Sequence, residues 1–158
     1  MYMMSDGEMK AYIAGLIDGE GSICITRKGL LNRVQYLAMI SIQMCDREGI
    51  DFVASRYGGK VYLYQPPGEN RQVTYSWKLS KNPVVKQLLY DILPYLMIKR
   101  TQAILLLEYV NKFSHGVGNH PYSEKETIER DLYRKICGGL NSRGTEATAL
   151  KTRLKLVL

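Results

Sequence analysis

The feature that most constrains the fold is an unbroken alternation over positions 33–44. Val34, Tyr36, Ala38, Ile40, Ile42 and Met44 fall on one side of an extended chain, and Arg33, Gln35, Leu37, Met39, Ser41 and Gln43 on the other. Successive strand residues point to opposite faces, so this pattern demands a strand with one buried and one solvated face. Arg71–Leu79 repeats it, with Val73, Tyr75, Trp77 and Leu79 apolar and Gln72, Thr74, Ser76 and Lys78 polar. Shorter strands are predicted at Ser22–Thr26 and Lys60–Gln65, with turns at Arg27-Lys28-Gly29 and Pro66-Pro67-Gly68-Glu69-Asn70.

Helices are predicted between these strands. One runs over Glu8–Gly19, capped by Asp6 and ended by Gly19 and Gly21. Asp46 caps a second, which stops at Gly58-Gly59. A third starts at Asn82 as cap with Pro83 in its first turn and ends near Pro94. Others span Lys99–Phe113 and Ser123–Ile136, the latter with a Ser123/Glu126 capping box, and a last one follows Ser142-Arg143-Gly144. The order αββαββα plus C-terminal helices gives an α+β fold, a four-stranded antiparallel sheet with helices on one face. The 158 residues suit a single domain, with a core over 7–113 and a C-terminal helical extension over 121–158.

Charge directs attention to the other sheet face. Lys and Arg number 22 against 15 Asp and Glu, a net +7, which favours a polyanionic partner. A solvated polar face is common in antiparallel sheets. This one also carries Gln and Arg, which make paired hydrogen bonds to base edges in the major groove, and it reads as a DNA-binding surface. Cys24, Cys45 and Cys137 form no CxxC pair, which argues against a disulfide framework or structural zinc and favours a reducing, intracellular compartment. The N-terminal residues lack the charged and apolar regions of a secretory signal. The most apolar stretch, Ile92–Val110, holds Pro94, Lys99 and Arg100, so no membrane span is expected. His115 and His120 share a loop without acidic or Cys neighbours and read as ordinary loop residues.

The segment Ile13-Ala14-Gly15-Leu16-Ile17-Asp18-Gly19-Glu20-Gly21 carries the chemistry. Ala11, Gly15 and Gly19 are spaced to share one smooth helical face, which admits a close-packed second helix. Asp18 and Glu20 place acids at a helix C-terminus, where the dipole disfavours them unless a cation is present. On residue types alone, an internally packed helix with solvated acids is the stronger reading.

The nonamer closely resembles the LAGLIDADG motif of homing endonucleases, with Ile13 for Leu and Gly19-Glu20 for Ala-Asp. Gly58-Gly59-Lys60-Val61-Tyr62, Pro94-Tyr95-Leu96 followed by Lys99, Gln102 and Ala103, and Leu140-Asn141-Ser142-Arg143-Gly144 are similar to other parts of the family. The resemblance implies an intron-encoded, metal-dependent endonuclease cutting both strands of a long pseudo-palindromic DNA site, leaving 5′ phosphates and 3′ overhangs. With one motif per chain, it implies a homodimer joined through Ala11, Gly15, Leu16, Asp18 and Gly19. Glu20 and the Gly19 carbonyl match the family's ligands for Mg²⁺, a site that Mn²⁺ or Ca²⁺ can also fill. Asp18 caps or positions helix ends instead. Lys99 matches a basic residue near the phosphate, although it also reads as an ordinary interhelical cation. Asp46 falls where members order solvent, and it also reads as a helix cap. Ile50 stands where studied dimers carry an arginine, with Arg47 as a stand-in. No small-molecule substrate is implied.

The implied DNA contacts come from the saddle made by the sheet: Cys24, Thr26, Lys28, Arg33, Gln35, Ser41, Gln43, Lys60, Tyr62, Tyr64, Gln72, Thr74, Ser76 and Lys78. Tyr62 and Tyr64 also fit packing at the sheet edge. Two relatives of the endonuclease reading use the same fold: an RNA maturase that assists splicing, and a DNA-binding protein without cleavage. The source, organellar, prokaryotic or phage, is left open.

Overall fold

The computed structural model describes residues 3–29, 33–113 and 121–142. Their elements are α1 (Asp6–Glu20), β1 (Gly21–Lys28), β2 (Gln35–Met44), α2 (Arg47–Tyr57), β3 (Lys60–Tyr64), β4 (Thr74–Leu79), α3 (Asn82–Ile92), α4 (Arg100–Lys112) and α5 (Glu124–Asn141). The strands form one antiparallel sheet in the order β1-β2-β4-β3. This is the expected α+β fold.

The predicted inward alternation holds. Tyr36, Ala38, Ile40 and Ile42 of β2, Ile23 and Ile25 of β1, and Trp77 and Leu79 of β4 are all buried. The helices cover them with Ile13, Ala14 and Ile17 of α1, Ile50 and Val53 of α2, Val85, Leu88, Leu89 and Ile92 of α3, and Leu105, Leu106 and Tyr109 of α4. Burial of this apolar surface is the main stabilising term. The helix α5 joins the same core through Cys137 and Leu140. Its Arg130 is buried between the rings of Phe113 and Tyr122, each 4.2 Å away. The Arg130 guanidinium also donates to Glu126 and to the Tyr109 hydroxyl, which in turn donates to the Tyr36 carbonyl.

Several boundaries differ from the sequence reading. Ser5, not Asp6, caps α1: its hydroxyl accepts from the Glu8 amide, and its own amide donates to the Glu8 carboxylate. Asp6 instead pairs with Lys10 and Arg56. Lys81, not Asn82, is the N-cap of α3 and makes no side-chain cap bond. The Ser123/Glu126 box is half formed, because the Glu126 carboxylate goes to Arg130. The helix α5 continues through Gly138-Gly139 to Asn141, since the core holds Leu140. Strand β4 begins at Thr74 rather than Arg71, where pairing with Tyr64 starts. The loop histidines and the helix after Ser142 lie outside the described residues.

Two glycines are forced by the chain path. Gly58 and Gly59 both have positive φ, and a Cβ on Gly59 would meet the Trp77 indole. The close approach lets Trp77 Nε1 donate to the Gly58 carbonyl at 2.6 Å.

Candidate nuclease site and nucleic-acid interface

The turn from α1 into β1 is tight. A Cβ at Gly21 would lie 2.7 Å from the Ile17 carbonyl oxygen, so only glycine lets the strand leave the helix here. Gly21 pairs with Ile42, which sets the end of α1 beside the end of β2 and the Asp46 that follows it. Glu20, the last residue of α1, is exposed. Its carboxylate makes no hydrogen bond or ion pair among the described residues. The last carbonyls of a helix lack in-helix donors, and Gly19 is one of these residues.

Asp18 is fully engaged. Its carboxylate accepts from the backbone amides of Met97, Ile98 and Lys99 at 2.8, 3.2 and 2.9 Å. It therefore caps the N-terminus of α4 from another element, where negative charge is favoured. Lys99 Nζ returns to the Asp18 carbonyl at 2.5 Å, so its cation sits at the negative end of α1. Asp46 caps α2 by accepting from the Glu48 amide at 2.7 Å. Ile50 is buried in the core, and Arg47 pairs with Asp51 within α2. Among the described residues no group of three His, Cys, Asp or Glu gathers to hold a metal ion.

Ala11, Gly15 and Gly19 are exposed along α1, and Leu16 is half-buried. A Cβ at Gly15 or Gly19 would meet nothing within 4 Å. Beside this stripe, Tyr12, Met97 and Ile98 are exposed. Met97 and Ile98 were missed by the sequence reading, although two adjacent apolar residues in an interhelical loop were a signal.

The sheet register places the predicted contact residues on one face. Ser22, Ser41, Lys78 and Lys60 form one cross-strand row, and Gln43, Ser76 and Tyr62 another. Cys24, Thr26, Lys28, Gln35 and Thr74 share that face by strand phase. Arg33 and Gln72 precede β2 and β4 in phase with it and are exposed. Tyr62 and Tyr64 are exposed rather than packed at the edge. Ser22, Leu37 and Met39 also lie on this face and were not among the predicted contacts. Thr26 donates to the Leu37 carbonyl and Gln43 to Thr74. Burial raises the pKa of the Cys24 thiol above its ordinary value, so Cys24 presents a neutral group.

The sheet and its helix layer define a class: the chain has the fold of the homing endonucleases. It is similar to I-CvuI, solved with the I-CreI target and 2 mM Mg with the DNA not cleaved, at TM-score 0.70 and 20% identity over 96% of each chain. The archaeal intron-encoded homing endonuclease I-Vdi141I, complexed with DNA, matches at TM-score 0.67 and 17% identity over 93% of this chain and 96% of that one. The LAGLIDADG homing endonuclease I-GzeII, in complex with its DNA target, matches at TM-score 0.61 and 12% identity over 90% of this chain but 48% of its own. Neither the protein-family models nor the curated proteins compared with the chain give a match. No described helix is long and apolar enough to cross a membrane.

Proposed function

We propose that the protein is a site-specific, metal-dependent DNA endonuclease acting as a symmetric pair of subunits, each bringing Glu20 to a scissile phosphate. The observation that carries this reading is the end of α1. An exposed carboxylate without a partner among the described residues stands at the negative end of a helix, next to a stripe open to close approach. A self-complementary stripe suits the twofold contact of a homodimer. Matching nearly all of I-CvuI but about half of I-GzeII supports pairing, since it is what two such units in one longer chain would give. The basic, polar sheet face supports duplex DNA as the partner, as does the likeness to structures solved with DNA.

The donor set fits a hard divalent ion. The Glu20 carboxylate and Gly19 carbonyl are oxygen donors of the kind Mg²⁺ takes, and Mn²⁺ or Ca²⁺ accept the same groups. One subunit has too few of them, and the second subunit's acid and DNA phosphates would supply the rest. When bound, the metal activates water and stabilises the leaving oxygen. Lys99, held by Asp18, presents a fixed cation that stabilises negative charge developing on the phosphate. Asp46 orders solvent with the carboxylate oxygen not used in capping α2. The apolar stripe and Met97-Ile98 exclude water from the subunit joint, while the open sheet face holds the DNA.

The test is incubation with Mg²⁺ and a library of pseudo-palindromic duplexes. Double-strand cuts with 5′ phosphates and 3′ overhangs are expected, abolished by EDTA and by Glu20→Gln, with DNA binding retained in the variant. Cleavage that survives Glu20→Gln removes the assigned ligand. Binding without cleavage in the wild-type protein would leave a DNA-binding protein of this fold.

A further inference from the structure

We propose that a lysine-lined notch at the end of β4 clamps the DNA sugar–phosphate backbone, flanking the polar side chains of the sheet face that read bases. The proposal rests on the reading that this face binds duplex DNA. It begins with a step in the sheet. Strand β4 ends at Leu79 opposite Ile40, while β2 continues to Gln35 with β1 alone as its partner. A notch of about 480 Å³ opens in this step, with Met39 and Tyr62 in its lining and Lys28, Lys60, Lys78 and Lys81 around it.

Among the described residues no carboxylate balances these four cations. No acidic side chain among the described residues lines the notch. None of the four lysines has a carboxylate partner among the described residues, whereas Lys10, Arg47, Arg56, Arg130, Arg134 and Lys135 each have one. Lys60 and Lys78 stand directly opposite each other across β3 and β4, an arrangement that destabilises a sheet. Lys78 Nζ lies 5.4 Å from the centre of the Tyr62 ring, so an aromatic face takes part of the load that a carboxylate would carry. Lys81 adds its charge at the N-cap of α3, whose first turn holds no acid, and a cation is unfavourable at that end of a helix. Such a concentration is relieved by an external anion.

The chemistry selects which anion. A lysine ammonium is a compact point charge that suits a phosphate oxygen, without the planar fork that reads a base edge. The groups that discriminate bases, Gln35, Gln43, Ser41, Thr74 and Ser76, are not in the lining of the notch, although Gln35 and Ser41 flank it opposite Lys28 and Lys78. The notch therefore sets register and affinity on the duplex, and the polar rows supply sequence.

The experiment uses the full chain, a labelled mixed-sequence duplex and a salt titration of the dissociation constant. The double variant Lys60→Gln/Lys78→Gln should flatten the dependence of log Kd on log salt by about 1 per phosphate contact removed. Sequence preference, read by selection from a library, should not change. The thermal midpoint should hold or rise, because the cross-strand repulsion is gone, and Lys125→Gln on α5 should leave the slope alone. An unchanged slope in the double variant overturns the proposal, as does altered sequence preference, which would make these lysines base readers. Saturable binding of inorganic phosphate, lost in the double variant while the DNA slope stays fixed, would make the notch a small-anion site and also overturn it. A wild-type protein that binds no duplex overturns the nuclease reading along with it, whereas wild-type binding with an unchanged slope removes the clamp alone.

Discussion

The two ends of α1 are built on opposite principles. At its start, every charge has a local partner. Ser5 and Glu8 close a capping box, Asp6 pairs with Lys10 and Arg56, and Lys10 reaches on to Asp91 on α3 at 3.0 Å. Tyr57 donates to the same Asp91, and burial first, then that bond, raises the Tyr57 hydroxyl pKa to about 12. This end ties three helices together. At the other end Asp18 alone is satisfied, while Glu20 and the stripe of small residues are left open. Charges that serve the fold are matched within the chain, and an acid without a partner among the described residues marks where another molecule is expected.

The comparison breaks most sharply at Glu20. Glu20→Gln should reduce Mg²⁺-dependent cleavage by about a thousandfold or more, with an unchanged melting temperature; a large loss of stability instead would place Glu20 among the structural charges. Gly15→Leu comes next. A Cβ at this position meets nothing within 4 Å, so the variant should leave the fold intact while shifting the mass in solution from dimer to monomer and removing cleavage. Asp18→Ala deletes a cap shared by three amides and should cost about 2 kcal/mol in urea unfolding. Asp91→Ala, at the saturated end, should cost about 1 to 2 kcal/mol and leave the cleavage rate of the folded protein unaltered.

The smallest effect is a pH dependence far from both ends. Hydrogen bonds from Arg134 and then Lys135 hold the Asp131 carboxyl down to about 2, from an ordinary 3.8. A depressed carboxyl contributes stability above its unfolded pKa and loses it as pH falls through the folded value. Asp131→Asn should therefore lower stability at neutral pH by less than about 1 kcal/mol. Unfolding curves of variant and wild type should converge between about pH 4 and 2.

What the sequence disclosed follows from how local each signal is. Strand β2 was legible because its two faces meet different environments, and α2 because Asp46 and Gly58 cap it from within its own segment. Ser5 and Asp6 both suit a cap, and only the position of Glu8 and the pull of Lys10 and Arg56 decide between them. The helix predicted to end at Ile136 runs on through Gly138-Gly139, because packing of Cys137 and Leu140 carries α5 onward. For the candidate site, the motif drew attention to Asp18 and Glu20 at the end of α1, and the register puts the predicted contact residues of the strands on one sheet face. The capping of α4 by Asp18 joins residues 79 to 81 positions apart, a relation that no window of sequence contains. The notch needs the same long-range knowledge, because it exists only where β4 stops short of β2.

Trp77 is the only tryptophan in the chain. It is fully buried on β4, covered by the Gly58-Gly59 turn and paired in register with Ile42 on one side and Val61 on the other. The molecule thus carries an intrinsic fluorophore at the junction of its central strands and its exposed edge strand. Detachment of β3 and its turn would expose the indole while α1, α4 and α5 remained folded. The emission wavelength of this one residue therefore separates local opening of the sheet edge from global unfolding.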